Sequence, residues 1–278
     1  SKCNIPVVWT VHDCWLYTGH CYYYSYVNCN RWQDGCGECP QRKEFPASLW
    51  IDRSRQNYLD KKEAFTSMPQ DKLVIVPVSN WIKSEMQQSF FCGYNFQVIH
   101  NGINTEVFRV YDAQEVREKY GLGDKHVLLG VASIWSREKG LDDFIQMAAL
   151  LKKEELIVLV GIKPENIQQL AGLYSVADAF INPTWQDNYP TVNMEAIACG
   201  TPVVTYRTGG SVEAVTDETG FVVEQGNYKG LLEAARTIRQ RGKSYYQGRC
   251  REYALKHFKK EDRYSDYIRL YDELTKRG

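Results

Sequence analysis

Asn182-Pro-Thr-Trp-Gln-Asp187-Asn-Tyr-Pro-Thr191-Val-Asn-Met-Glu195-Ala-Ile-Ala-Cys-Gly200-Thr-Pro-Val-Val-Thr205-Tyr-Arg-Thr-Gly-Gly210 is the stretch that decides the fold. Pro190-Thr191 opens a helix that ends at Cys199-Gly200. A strand, Thr201 to Thr205, follows at once, and a Gly-Gly turn follows the strand. The start of such a helix offers unpaired N–H groups and a positive dipole end, which suits a phosphate. Glu195 sits about one turn in, where its carboxylate can accept from the vicinal hydroxyls of a ribose. Asp187, on the preceding loop, can reach a sugar attached to that phosphate. The stretch thus fits a nucleotide-sugar, one carboxylate at each end and the diphosphate between. Spacing alone equally allows an ordinary strand–loop–helix–strand unit with solvated acids and a routine helix-start proline.

Outward from this stretch, strands are expected at Val127–Ala132, Leu156–Val160, Ala179–Asn182, Pro202–Thr205 and Gly220–Val223. Helices are expected near 138–153, 166–175, 191–199, 211–215, 228–240, 243–257 and 260–275. This alternation implies a parallel sheet with helices on both faces. Upstream, Pro6–Val11 reads as a buried strand, Ile51–Ser67 as a helix with a basic face, and Leu73–Val78 as a strand. Ser79-Asn80 caps a helix through Gln88, Phe96–Ile99 is a short strand, and 104–124 is polar connection. A domain boundary falls near 95–104, giving an N-terminal part over 1–98, a second domain over 99–262, and a last helix over 263–278. The run Val160-Gly161-Ile162 into Lys163-Pro164-Glu165 lacks the helix and strand usual at that point, so the chain reads as interrupted there.

The 278 residues suffice for two α/β domains, and 44% hydrophobic content is ordinary for a folded protein. A net charge of +0 gives no bulk attraction for nucleic acid. No run of about 18 apolar residues marks a membrane span. Ser1-Lys2-Cys3-Asn4 leads straight into a strand with no signal peptide, so the cytoplasm is the expected compartment. Of nine cysteines, six precede residue 40. In a reducing compartment such a cluster favours a metal site over disulfides. The tightest set is Cys21, Cys29, Cys36 and Cys39, with a Cys-Gly-Glu-Cys knuckle. Since the loop 17–40 shows no apolar periodicity, a structural zinc on these four thiols is expected, reduced thiols in an irregular loop being the alternative. The loop's aromatics read mainly as packing, with sugar stacking as the rival use.

Val131-Ala-Ser-Ile-Trp-Ser-Arg137-Glu-Lys139-Gly140 leaves a strand and opens a helix. Cations at a helix start oppose the dipole, so they imply an anion. A departing nucleoside diphosphate, gaining charge as its glycosidic bond breaks, is such an anion. Thr10-Val11-His12-Asp13 ends a first-domain strand, the edge where α/β folds hold ligands.

Asp187 eight residues before Glu195, with Lys139-Gly140, His12-Asp13, Asn101-Gly102 and Thr208-Gly209-Gly210, resembles the family 4 retaining glycosyltransferases of the GT-B fold. The Thr-Val-His-Asp-Cys-Trp and Cys-Pro runs are similar to a bacterial capsular, colanic-acid or lipopolysaccharide subgroup. The resemblance implies an α/β chain of two Rossmann-like domains facing a cleft. The N-terminal, acceptor-side domain would be only partly present, a full one carrying roughly 100 more residues before Ser1. It implies a catalytic set of Asp187, Lys139, Arg137 and His12. It implies donor binding by Glu195, Tyr189, Pro190, Thr191 and Val192. Two departures stand out: the first acid is usually Glu, and the usual Arg position falls on Ile134, Arg137 lying three residues later. The last helix would cross back to the first domain. The implied reaction moves a sugar from a nucleotide-diphosphate donor to a glycan or lipid-linked acceptor, with no catalytic metal or cofactor and no nucleic-acid partner. The basic helix 52–62 reads as a solvated face, with contact to the inner membrane face as the rival use that lipid-linked acceptors would imply. The alternatives are a GT-B nucleotide-sugar epimerase or phosphorylase, and a non-catalytic binding fragment. Nucleobase contacts would come from the region near 162–175.

Overall fold

Parallel pairing throughout two sheets follows from how the apolar runs are spaced. The computed structural model describes residues 5–44, 46–48, 50–161 and 167–276. The described chain forms two compact units, one of residues 1–100 with 263–278 and one of 101–262. The expected interruption at Ile162–Lys163 lies outside the described residues, as do Cys3 and part of the expected nucleobase region.

The second unit holds the longer sheet. Its strands are β4 (His126–Ala132), β5 (Glu155–Gly161), β6 (Ala179–Asn182), β7 (Val203–Tyr206) and β8 (Gly220–Val223). They lie in the order β5-β4-β6-β7-β8, all neighbours parallel. β4, β6 and β7 are buried along their whole length, which is why they read as unbroken apolar runs rather than alternating ones. The helices are α3 (Ala113–Tyr120), α4 (Leu141–Ala148), α5 (Ile167–Val176), α6 (Thr191–Ala198), α7 (Tyr228–Arg241) and α8 (Lys243–His257). The chain leaves β4 for β5 on one side, then returns to set β6 on the other side of β4. This reversal opens a crevice beyond the C-terminal ends of β4 and β6, the place where open α/β sheets bind ligands.

Several expected elements differ. The helix expected over 138–153 is α4, Leu141–Ala148, because Gly140 in the left-handed region (φ 74°) ends the preceding turn. Residues 209–214 form a 3-10 turn. The polar stretch 104–124 contains α3, capped by Asp112, whose side chain accepts from Gln114 N, and by left-handed Gly121. α3 buries none of its residues, so it leaves no apolar stripe to read.

In the first unit β1 (Val7–Val11), β2 (Leu73–Pro77) and β3 (Asn95–Phe96) form a parallel sheet in that order. The strand expected over Phe96–Ile99 is thus shorter and earlier. Around this sheet are α1 (Ser54–Thr66), α2 (Asn80–Met86, its N-cap Ser79 accepting from Ile82 N) and most of α9 (Lys260–Lys276). Tyr267 of α9 hydrogen bonds Thr10 at 2.9 Å, and Leu270 and Leu274 pack with Val74, Val76 and Ile99.

The cysteine-rich loop corrects an expectation. Cys21, Cys29, Cys36 and Cys39 do line one small cavity of about 10 Å³. Among the described residues, however, no group of three or more His, Cys, Asp or Glu side chains is arranged to hold a metal ion. The premise behind the zinc expectation, a loop with nothing apolar to hold it, fails. Tyr17, Tyr24 and Trp32 are buried, and their rings pack within 5.0–6.2 Å of one another in the core with Ile75, Ile82 and Phe91. Burial and the neighbouring sulfurs of Cys39, Cys36 and Cys29 push the Cys21 thiol up to about 12. Lys61, expected on a solvent-facing basic stripe, instead donates to the carbonyls of Trp15 (2.6 Å) and Thr18 (2.9 Å) and sits over the Trp15 ring. Among the described residues no helix is long and apolar enough to cross a membrane.

Candidate functional site

A cavity of about 290 Å³ occupies the crevice beyond β4 and β6. Val131, Ala132 and Ser133 line it from the end of β4, and Asn182 from the end of β6. Lys139, Asp187, Tyr189, Pro190, Thr191 and Val192 complete the wall. Six of the residues singled out in the sequence therefore meet here.

α6 supplies the anion-binding end. Its N-cap is Pro190, which makes no side-chain capping bond, and its first turn carries no acid. The first N–H groups of a helix have no partner inside it, so those of α6 face the cavity wall with their dipole unopposed. A buried polar chain holds the helix in place. Asn182 Nδ2 donates to Asn193 Oδ1 at 2.8 Å, and Asn193 Nδ2 donates to Ser211 at 3.2 Å. Ser211 Oγ and Thr205 Oγ1 lie 2.8 Å apart, and Thr205 donates to Asn182 O. Sequence reading missed Asn193; the signal was an amide between two apolar residues, Val192 and Met194, on the buried side of the helix.

Lys139 and Asp187 pair across the cavity mouth, Nζ to Oδ2 2.8 Å, with 42% and 17% of their side chains exposed. The pairing depends on how the turn before α4 lies on the 183–188 loop. A Cβ on Gly140 would fall 2.3 Å from Pro183 O, so only glycine allows the approach. Trp185 N donates to Glu138 O at 2.8 Å. Trp185 Nε1 donates to Asp143 Oδ2 at 2.7 Å, and Tyr206 Oη to Asp143 Oδ1 at 2.7 Å. Asp143 is buried, and sequence reading passed over it as one of two acids in a helix start.

Glu195 lies on α6 one turn beyond Thr191 and does not line the cavity itself. Burial pushes its carboxyl up to about 7, against the opposing hydrogen bonds from Tyr174 and Thr191. Arg137 is not brought to the cavity. It is largely exposed and pairs with Asp142 at 3.3 Å, since the turn that aims Lys139 inward leaves Arg137 outside. His12 belongs to the first unit, exposed just past β1, with its carbonyl accepting from Tyr23 Oη at 3.4 Å. Asp13 Oδ1 accepts from Trp15 N at 2.8 Å and so shapes the turn.

A crevice at a sheet reversal, an uncapped helix start and a lysine beside it make a site suited to an anionic ligand. Residues 125–241 match the family model described as glycosyl transferases group 1. The chain is 24% identical over 249 residues to a putative colanic acid biosynthesis glycosyl transferase of Escherichia coli K12, covering 84% of this chain and 60% of that protein. It is 27% identical over 161 residues to a capsular polysaccharide biosynthesis glycosyltransferase of Staphylococcus aureus, covering 48% and 42%. Among solved structures, HepE of Anabaena in complex with UDP superposes with a TM-score of 0.69 at 15% identity, over 96% of this chain and 72% of that one. The chain thus spans about 60% of the colanic acid relative's length, and its fold is that of the GT-B glycosyltransferases.

Proposed function

We propose that this protein transfers a sugar from a nucleoside-diphosphate sugar to a glycan or lipid-linked acceptor in cell-surface polysaccharide synthesis, with retention at the anomeric carbon. The observation that carries the reading is the Lys139–Asp187 pair at the mouth of a crevice that also holds the open start of α6. A cation, an uncapped helix dipole and a carboxylate within one cavity match the three parts of such a donor: charged diphosphate, its bridging oxygens and a neutral sugar rich in hydroxyls. The colanic acid and capsular relatives supply the polysaccharide context.

In this reading the diphosphate lies on the N–H groups of Thr191 and Val192, and Lys139 neutralises the charge that builds as the bond to the sugar breaks. Asp187 orients the transferred sugar through its hydroxyls, and Glu195 accepts from the ribose. The acceptor oxygen attacks the anomeric carbon from the face the diphosphate is leaving. The bond from that carbon to the phosphate oxygen breaks, and the acceptor proton passes to the leaving phosphate. No protein nucleophile, metal or organic cofactor takes part. The first unit, with His12, serves the acceptor side, and the reaction runs at the cytoplasmic face of the inner membrane.

A thermal-shift screen of nucleoside diphosphates and their sugars tests this. A bound donor raises the melting temperature by mass action, and at least one nucleoside diphosphate should do so in wild type and less in Lys139→Ala. No shift with any of them would overturn the reading.

A further inference from the structure

We propose that Tyr174 is a positioning residue for the ribose end of the donor site, holding Glu195 in the orientation that receives the vicinal hydroxyls. The inference rests on the assignment of Glu195 to the ribose. Tyr174 lies on α5, is fully buried, and donates its hydroxyl to Glu195 Oε2 at 3.0 Å. The ring is fixed from both sides, edge-on to Phe180 at 5.4 Å and to Phe108 at 6.3 Å. Its own carbonyl accepts from Thr201 Oγ1 at 2.5 Å, tying this end of α5 to the turn that leads into β7. The hydroxyl is therefore delivered by a side chain that has nowhere else to point.

A carboxylate has about four acceptor positions on its two oxygens. Tyr174 takes one, and Thr191, one turn back on α6, hydrogen bonds the same group. Two positions remain, which is the number a vicinal diol needs. Without its hydroxyl partners the glutamate would be free to rotate about its terminal bond, since such torsions are broad. The titratable groups that act on this carboxyl are Tyr174 from α5 and Cys199 from the end of its own helix; Tyr174 alone hydrogen bonds it among them.

The test compares ribose with a ribose lacking its diol. Binding is measured by titration calorimetry with the best-binding nucleoside diphosphate among the uridine, cytidine, adenosine and guanosine forms, and with its 2′,3′-dideoxy analogue. Wild type should prefer the ribose form, and Glu195→Gln should lose most of that preference. Tyr174→Phe should weaken the ribose form on the order of tenfold, as expected for one lost hydrogen bond to a charged group, and leave the dideoxy form unchanged. Equal weakening of both forms, or no weakening of either, would overturn the role of Tyr174 while leaving Glu195 assigned. If Glu195→Gln keeps the full preference, the assignment of Glu195 itself falls, and the inference with it. Thr191→Val removes the other hydroxyl without touching the buried ring, and it should show the same ribose-selective loss if Tyr174→Phe does not fold.

Discussion

Lys139 and Asp187 stand 48 residues apart in the chain and 2.8 Å apart in space, lysine Nζ to aspartate Oδ2, at the mouth of the crevice beyond β4 and β6. Without a ligand, the site's cation is held by the site's own acid. In the proposed function, a donor phosphate would take over Lys139 and release Asp187 for the sugar. With more than a third of the lysine side chain exposed, the pair itself contributes little to stability, about 0–1 kcal/mol.

Lys139→Ala should therefore lower turnover far more than it disturbs folding. A single electrostatic donor to developing charge is typically worth about 2.7–4 kcal/mol, or roughly a hundredfold to a thousandfold in rate. Steady-state transfer assays beside a thermal melt check this, and unchanged turnover would remove Lys139 from the chemistry. Arg137→Ala should lose much less, since Arg137 is turned away toward Asp142.

Asp187 and Glu195 should separate by kinetic signature. Asp187→Ala should mainly slow transfer, and Glu195→Ala should weaken binding of free nucleoside diphosphate. Each loses hydrogen bonds of a charged group, about 1.5–3 kcal/mol apiece. Wild-type nucleotide affinity together with a full transfer rate in both variants would contradict the assignment.

The raised carboxyl of Glu195 predicts a pH dependence with a definite sign. Burial lifts it from an ordinary 4.5 to about 7. The folded protein then holds a proton that the unfolded chain has released between those values, so this group's contribution to stability declines as pH rises from about 4.5 to about 7 and is flat beyond. Binding runs the other way. Only the ionised carboxylate accepts from both ribose hydroxyls, so affinity should fall several-fold from pH 7.5 to pH 6 as the competent fraction shrinks. Calorimetry across that range in Glu195→Gln should show a flatter profile, which separates this titration from that of the diphosphate itself.

Gly140→Ala should damage both fold and site. The added Cβ meets Pro183 O at 2.3 Å, and φ is 74°, a conformation costing about 1–2 kcal/mol for a residue with a side chain. Urea unfolding should show at least that loss. Transfer should fall further, because the displaced loop is the one that carries Asp187.

Asp143→Ala should destabilise by about 1–3 kcal/mol or more, since it leaves the Trp185 and Tyr206 donors without their acceptor. A change in tryptophan fluorescence should accompany the lower melting temperature. An unaltered melt would mean that Asp143 does not brace the 183–188 loop.

Most of the second sheet was legible because parallel strands buried on both faces must be written as apolar runs, and Val127–Ala132 and Ala179–Asn182 are. α3 escaped because a helix that buries nothing carries no stripe; its Asp112 and Gly121 caps were the only marks. The zinc expectation on Cys21, Cys29, Cys36 and Cys39 erred for the opposite reason. Aromatic residues with no regular period, Tyr17, Tyr24 and Trp32, built a core that no periodicity announces.

By itself the sequence determined the residue types of the site and their local setting: an acid on a loop, a helix opened by proline without an acidic first turn, a lysine before a glycine. Those are short-range facts, set by what a few neighbouring residues do to the backbone. Only the tertiary structure decided that Lys139 meets Asp187 while Arg137 does not. It alone set Tyr174 against Glu195, and Asp143 beneath Trp185. Such contacts depend on which strand lies beside which. The reversal of strand order at β4 and β6 brings their ends together, and no local pattern encodes the distance between two side chains carried by different elements.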